Sequence, residues 1–129
     1  MSNQWKIDEE LAKEVYARVE NYTKEEKQIL WDKIKNELQE YDSFTGTIFI
    51  KAPFGVFLDI GKEFPALLRL PAIKNIRFGK YSDYMDDKIY NLGEKLEVYF
   101  VGMNDEPDKI IVTEFTKEHI EANKDDLFS

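Results

Sequence analysis

The chain has 129 residues, one domain's worth and long enough to bury a real core without metals or disulfides, and its 43% hydrophobic content predicts a globular fold. Cysteine is absent, which excludes a disulfide framework, a thiolate nucleophile and cysteine-ligated zinc. With 18 basic side chains against 26 acidic ones the formal charge is −8, a field that repels polyanions at long range and slows their encounter.

The N-terminal "MSNQWKIDEE" is polar and acidic, unlike a secretory signal, and no apolar run approaches the roughly 18 residues of a membrane span. A cytoplasmic location is expected. Residues 1–41 carry helical periodicity: Ile7, Leu11, Val15 and Val19 recur every four residues, and Leu30, Ile34 and Leu38 repeat the spacing after a break. Asp8 is placed to cap the first helix, and "TKEE" from Thr23 to Glu26 has the form of a capping box. The pattern predicts a two-helix hairpin whose outer faces, dense in Lys and Glu, are solvated. The rings of Trp5, Tyr16 and Trp31 either pack against the following domain or form a partner-binding patch.

From Phe44 the period changes to two. Ile48 and Ile50 share one face of a strand, "KAPFG" makes a turn, and Val56, Leu58 and Ile60 share a face of the next strand. Further strands fit 66–70, 95–101 and 109–113, with Leu96, Val98, Phe100, Ile110 and Val112 pointing inward and "NDEPD" as the last turn. Five short strands with one longer connection over residues 71–94 describe a small Greek-key barrel of the OB type. The expected organisation is α+β: a helical hairpin over 1–41, a barrel over 42–114, and over 115–129 a short helix capped by Thr116 with an acidic tail, "NKDDLFS".

"GTIFIKAPFGVFLDIG", "ALLRLP", "GEKLEVYFVGMND" and "DKIIVTE", in that order over roughly residues 44–114, resemble the S1 RNA-binding domain of the OB superfamily. The resemblance implies single-stranded RNA as partner. It makes Phe54 and Phe57 the stacking pair, puts Arg69 where the family usually has a histidine, and gives Lys109 the basic position of the last strand. Strand alternation independently turns Phe57 away from the neighbours Val56 and Leu58, and it places Phe49 and Lys51 together on an outward face that extends the surface. Arginine in place of histidine keeps a planar group able to stack on a base and adds permanent charge. The chain departs from the family at Ala66 and Pro71, which reshape the rim. On the competing reading, Phe54 and Phe57 pack beneath the N-terminal hairpin.

No acidic residue lies between Phe64 and Ser82, while Arg69, Lys74, Arg77 and Lys80 fall there, interleaved with Asn75, Phe78 and Tyr81. This is either a single-strand groove, acting within a Debye length of roughly 8–10 Å, or a solvated loop paired with Asp83, Asp86 and Asp87. No catalytic relay is indicated: the lone His119 has no serine or carboxylate at a suggestive spacing. "SDYMDD" lacks the glycine and terminal glutamate of a calcium loop, so neither a metal nor a cofactor is expected. The sequence therefore points to non-catalytic binding of single-stranded RNA through Phe54, Phe57, Arg69 and Lys109, with Phe49 and Lys51 beside them. The alternative is an acidic protein-interaction module, such as an immunity-type inhibitor of a basic protein, for which −8 supplies steering.

Overall fold

The computed structural model describes residues 5–77, 79–105 and 107–122. The tail "NKDDLFS" and Phe78 of the basic stretch lie outside the described residues.

Both predicted helices start at their predicted caps. The Asp8 carboxylate accepts from the Leu11 N–H at 3.2 Å to open α1 (Glu9–Ala17). At α2 (Lys24–Glu37), Thr23 Oγ1 accepts from the Glu26 N–H and Glu26 Oε1 from the Thr23 N–H, both at 3.1 Å. Each bond satisfies an amide that the first helical turn leaves without a partner. Ile7, which the i, i+4 spacing assigns to the helix, instead belongs to a two-residue strand, β1 (Lys6–Ile7), because Asp8 is already the cap.

Five strands follow: β2 (Ser43–Ala52), β3 (Gly55–Asp59), β4 (Ala66–Arg69), β5 (Lys95–Met103) and β6 (Ile110–Thr113). They close in the order β2-β3-β4-β6-β5, with β5 returning to pair with β2, and only β4 and β6 run parallel. The architecture is α+β, an OB-like barrel with helices, as the alternation predicts. Strand β1 adds outside the closed ring: Lys6 pairs with Lys51 and Ile7 with Ile50, whereas β5 occupies residues 43–47 of the same strand.

Ile48, Val56, Leu58, Leu68, Val98, Phe100, Ile110 and Val112 point inward and are buried in one cluster. Helix α2 closes the end that carries the β3–β4 and β5–β6 connections. There Trp31 is fully buried, meets Phe64 edge to face at 4.9 Å, and donates its indole N–H to the Asn104 carbonyl at 2.8 Å. The opposite end is closed by the 70–94 connection, in which Leu70–Ala72 form a 3₁₀ turn, followed by α3 (Lys74–Arg77) and α4 (Tyr81–Met85). Tyr84 donates its hydroxyl to the Ala52 carbonyl at 2.6 Å, and Tyr90 donates to Glu114 Oε1, also at 2.6 Å, tying the connection to the end of β2 and to the residue that follows β6. Helix α5 (Lys117–Ala122) follows Thr116, whose Oγ1 accepts from the His119 N–H at 3.1 Å.

Two features fix what faces outward. The β2–β3 register runs Ile48↔Leu58 and then Ile50↔Phe57, which leaves Phe49 as the extra residue of a bulge. Beyond it the alternation is inverted: Ile50 faces outward, and Lys51, opposite the buried Val56, faces inward. Second, the turn between these strands needs Gly55, since a Cβ there would lie 2.3 Å from the Leu68 carbonyl oxygen. No side chain fits that approach.

Helix α1 lies on the outer face of the sheet. Leu11, Ala12 and Val15 pack on Phe49, Ile50, Phe57 and Leu67, a cluster separate from the barrel interior. Its end is held by Arg18, whose guanidinium donates to both oxygens of Asp59, at 2.8 and 3.2 Å, and to the Lys62 carbonyl at 2.8 Å. The Gly61 N–H donates to the same carboxylate at 2.9 Å. The hydrogen bonds from Arg18 hold the Asp59 carboxyl below its ordinary value of 3.8. A depressed folded-state value contributes stability above the unfolded pKa and loses it as pH falls through the folded one. Asp59→Asn is therefore expected to cost on the order of 1–3 kcal/mol at neutral pH, the range for hydrogen bonds to charged groups. Urea denaturation from pH 7 to pH 3 checks this: the gap between wild type and variant shrinks below about pH 4, and a gap that stays constant with pH contradicts the assignment.

Candidate nucleic-acid interface

The outer face of β3, β4 and β6 gathers four of the six residues singled out in the sequence. Phe57 and Leu67 are register partners across β3 and β4, and Leu67 pairs with Ile111 of β6, forming an apolar row. Lys109 lies two residues before Ile111 on one side of this row. Arg69 lies two residues after Leu67 on the other side, opposite Gly55. Phe54 sits in the turn immediately before Gly55, and its carbonyl accepts from the Leu70 N–H at 3.0 Å, fixing the turn against the end of β4.

Phe54 is 43% exposed, while Phe57 keeps only 7% of its surface. The two rings lie 6.1 Å apart. A third ring joins them. Trp5 meets Phe54 edge to face at 5.3 Å and Phe57 at 5.8 Å, and is itself 48% exposed. It arrives through β1, whose Lys6↔Lys51 pairing carries the preceding residue towards Ala52 and the Phe54 turn. The Lys109 ammonium stands 5.7 Å from the Phe57 ring centroid and pairs with the neighbouring Asp108. This is a cation–π contact beside the aromatic group. Tyr16 of α1 lies edge to face with Phe49 at 5.9 Å, and burial together with the negative charge of Asp108 pushes its phenol up.

Two expected members do not reach the surface. Phe49 faces outward but is fully covered by Val15 and the rest of the α1 packing. Lys51 is 4% exposed and points to the opposite face. The cause is the bulge: strict alternation puts Phe49 and Lys51 on one face, and the extra residue separates them. Lys51 acts structurally. Its ammonium donates to the Ile89 carbonyl at 2.8 Å, pairs with Asp87 at 3.0 Å and lies 4.4 Å from the Tyr84 ring centroid. Burial, then the nearby Lys6 charge, draw its pKa down. Asp87 also pairs with Lys6, so this carboxylate ties β1 to the end of the barrel.

The N-terminal cover is partial. Helix α1 seals Phe49, Ile50 and the inner side of Phe57, while Trp5, Phe54 and Arg69 remain accessible. From the sequence Trp5 reads as a packing or partner-patch ring, and the helical spacing of Ile7 hides the short strand that delivers it. The available signal was the caps: once Asp8 is an N-cap, Trp5–Lys6–Ile7 reads as a separate extended segment. The basic residues after Phe64 are spread over several elements, with Arg69 ending β4, Lys74 opening α3 and Lys80 preceding α4.

No family model matches the sequence, and no curated protein matches it. Among solved structures, the fold is similar to an uncharacterized protein of Methanocaldococcus jannaschii, at 15% identity over 60% of this chain and 93% of that one, with a TM-score of 0.47. It is similar to GSP13 of Bacillus subtilis at 17% identity over 59% of this chain and 55% of that one, with a TM-score of 0.48. It also resembles the apo form of RNase R of Mycoplasma genitalium, at 17% identity over 67% of this chain, with a TM-score of 0.51. That match spans 14% of the RNase R chain and is a likeness of fold.

The unequal burial of the two phenylalanines separates their roles. Phe57→Ala is expected to cost about 3–5 kcal/mol as a core truncation. Phe54→Ala, half in solvent, is expected to cost about 1 kcal/mol or less. Chemical denaturation of the two single variants checks this, and equal losses would contradict the placement.

Proposed function

We propose that this chain binds single-stranded RNA without chemical turnover, and that the bases stack on Trp5 and Phe54. The observation that carries the reading is the aromatic group itself: two half-exposed rings in contact, backed by the buried Phe57, on the outer face of an OB-like barrel with Lys109 and Arg69 on either side. Exposed tryptophan and phenylalanine are expensive to leave in water, and a π-face accepts any base at about 1–3 kcal/mol each. Such stacking is tolerant of sequence, so weak sequence preference is part of the proposal. The S1 resemblance of residues 44–114 supports RNA as the strand, with Phe57 serving as the backing of the platform instead of a ring a base touches.

The net charge of −8 sets limits on the mode of binding. Long-range steering is unfavourable, so association is slow, and the attraction comes from cations within about a Debye length of the strand. Few phosphates are contacted, and the salt slope is shallow, about −0.7 per neutralised phosphate for a single strand. One consequence is that hydrophobic stacking, not charge, supplies most of the affinity.

Titration into a labelled single-stranded RNA of about 12 nucleotides, within the site sizes of OB barrels, tests the reading. Trp31 is buried, so a Trp31→Phe variant leaves Trp5 as the only tryptophan, and its emission is expected to change on binding. Trp5→Ala and Phe54→Ala are each expected to weaken binding at least about tenfold, the value of one stacked base. Absence of saturable binding at low salt sinks the proposal. A basic protein recovered as partner would then favour the interaction-module alternative.

A further inference from the structure

Beside the aromatic platform lies an apolar groove of about 210 Å³, running between the end of β4, the outer faces of β5 and β6, and α5. Pro71, Val101, Ile111, Phe115 and Ile120 line it, and Arg69 stands among the lining residues. Phe115 is buried and stacks on His119 at 4.6 Å, which fixes that wall. Val101 is 45% exposed on the outer side of β5, an open apolar surface where a strand facing water ordinarily carries a polar residue.

Three observations choose the occupant. The volume is below the roughly 300–1,000 Å³ of pockets that enclose drug-sized ligands, so the groove suits a single ring system. The Arg69 guanidinium is exposed and makes no ion pair among the described residues, so an apolar slot stands beside one uncompensated cation. Finally, the groove borders the platform at Arg69, which lines the groove and is the register partner of Gly55, the residue after Phe54. The Phe54 carbonyl is bonded to the Leu70 N–H, and Pro71, the next residue, forms one lip. A ligand with a flat apolar ring and an anion at its edge, repeated along a chain that also reaches Phe54, is a nucleotide strand.

We infer that the groove is a second base subsite of the same strand: one unstacked base enters between Pro71, Val101 and Ile111, and Arg69 binds the phosphate joining it to the base on Phe54. This rests on the RNA-binding reading and extends the footprint around the barrel towards α5. The groove wall offers apolar side chains with few polar groups, so this subsite accepts any base that fits and adds affinity more than selectivity.

The test uses the full chain with methyl labelling of valine and isoleucine, the RNA of about 12 nucleotides, and the variants V101E and F54A. V101E puts a carboxylate at an exposed position of the groove without touching the platform. RNA is expected to shift the Val101, Ile111 and Ile120 methyl signals of the wild type, and V101E to bind about tenfold more weakly, one base's worth. If F54A weakens binding while those methyls stay still at saturation and V101E binds like wild type, the groove inference is overturned and the RNA reading stands. If wild type binds no RNA at low salt, both fall. If an apolar peptide with a free carboxylate moves the three methyls and RNA does not, the groove belongs to a protein partner and the inference is overturned. The wild-type methyl footprint decides even if V101E folds poorly.

Discussion

The bulge at Phe49 is the constraint on which the arrangement depends. Strand β2 is shared by three neighbours, β1, β3 and β5, and must bend to serve them all. The extra residue supplies the bend and reverses the alternation from Ile50 onward. As a result two consecutive apolar residues, Phe49 and Ile50, face out of the barrel together, and this outward patch must be covered. Helix α1 covers it. Lys51, turned inward by the same reversal, is the polar group that anchors the other end through Ile89 and Asp87.

The cover explains how an accessible outer face and an N-terminal helix coexist on the OB-like barrel. Helix α1 covers the outer face from Phe49 and Ile50 of β2 across Phe57 to Leu67 of β4, leaving Phe54 and Arg69 open, and the Arg18–Asp59 clamp holds its far end against the end of β3. The strand preceding the helix delivers a tryptophan to the remaining part. An appendage that could have buried the aromatic residues instead rebuilds the group with one more ring, Trp5, in place of surface lost at Phe49 and Phe57.

Much of this was legible in the sequence because its signals are local. The Asp8 cap and the Thr23–Glu26 capping box depend on residues three apart, and both form. Period-two alternation located all five barrel strands, and Gly55 marked the turn where backbone approaches backbone. The failures are non-local. A bulge is invisible to alternation, since "TIFIKA" reads as an unbroken strand, so alternation puts Phe49 and Lys51 on one face. Strand β1 has two residues and exists only through its pairing with Lys51 and Ile50. The helical spacing of Ile7 competed with it and was the stronger local pattern. The apolar groove is made from residues of β4, β5, β6 and α5, distant in sequence, and no single stretch announces it.

The parallel pairing of β4 with β6 has a consequence for how the protein is made. It joins Ala66 to Ile110 across more than forty residues, and β6 is the last strand of the ring. Until β6 is synthesised, both β4 and β5 present open edges, the templates from which misassociation begins. Closure of a barrel through such distant contacts is slow compared with helix formation. During translation the β4 edge therefore stays open from Arg69 until β6 is made at Ile110–Thr113, with the β5 edge joining it after Met103, and shielding the β4 edge over that interval favours correct closure.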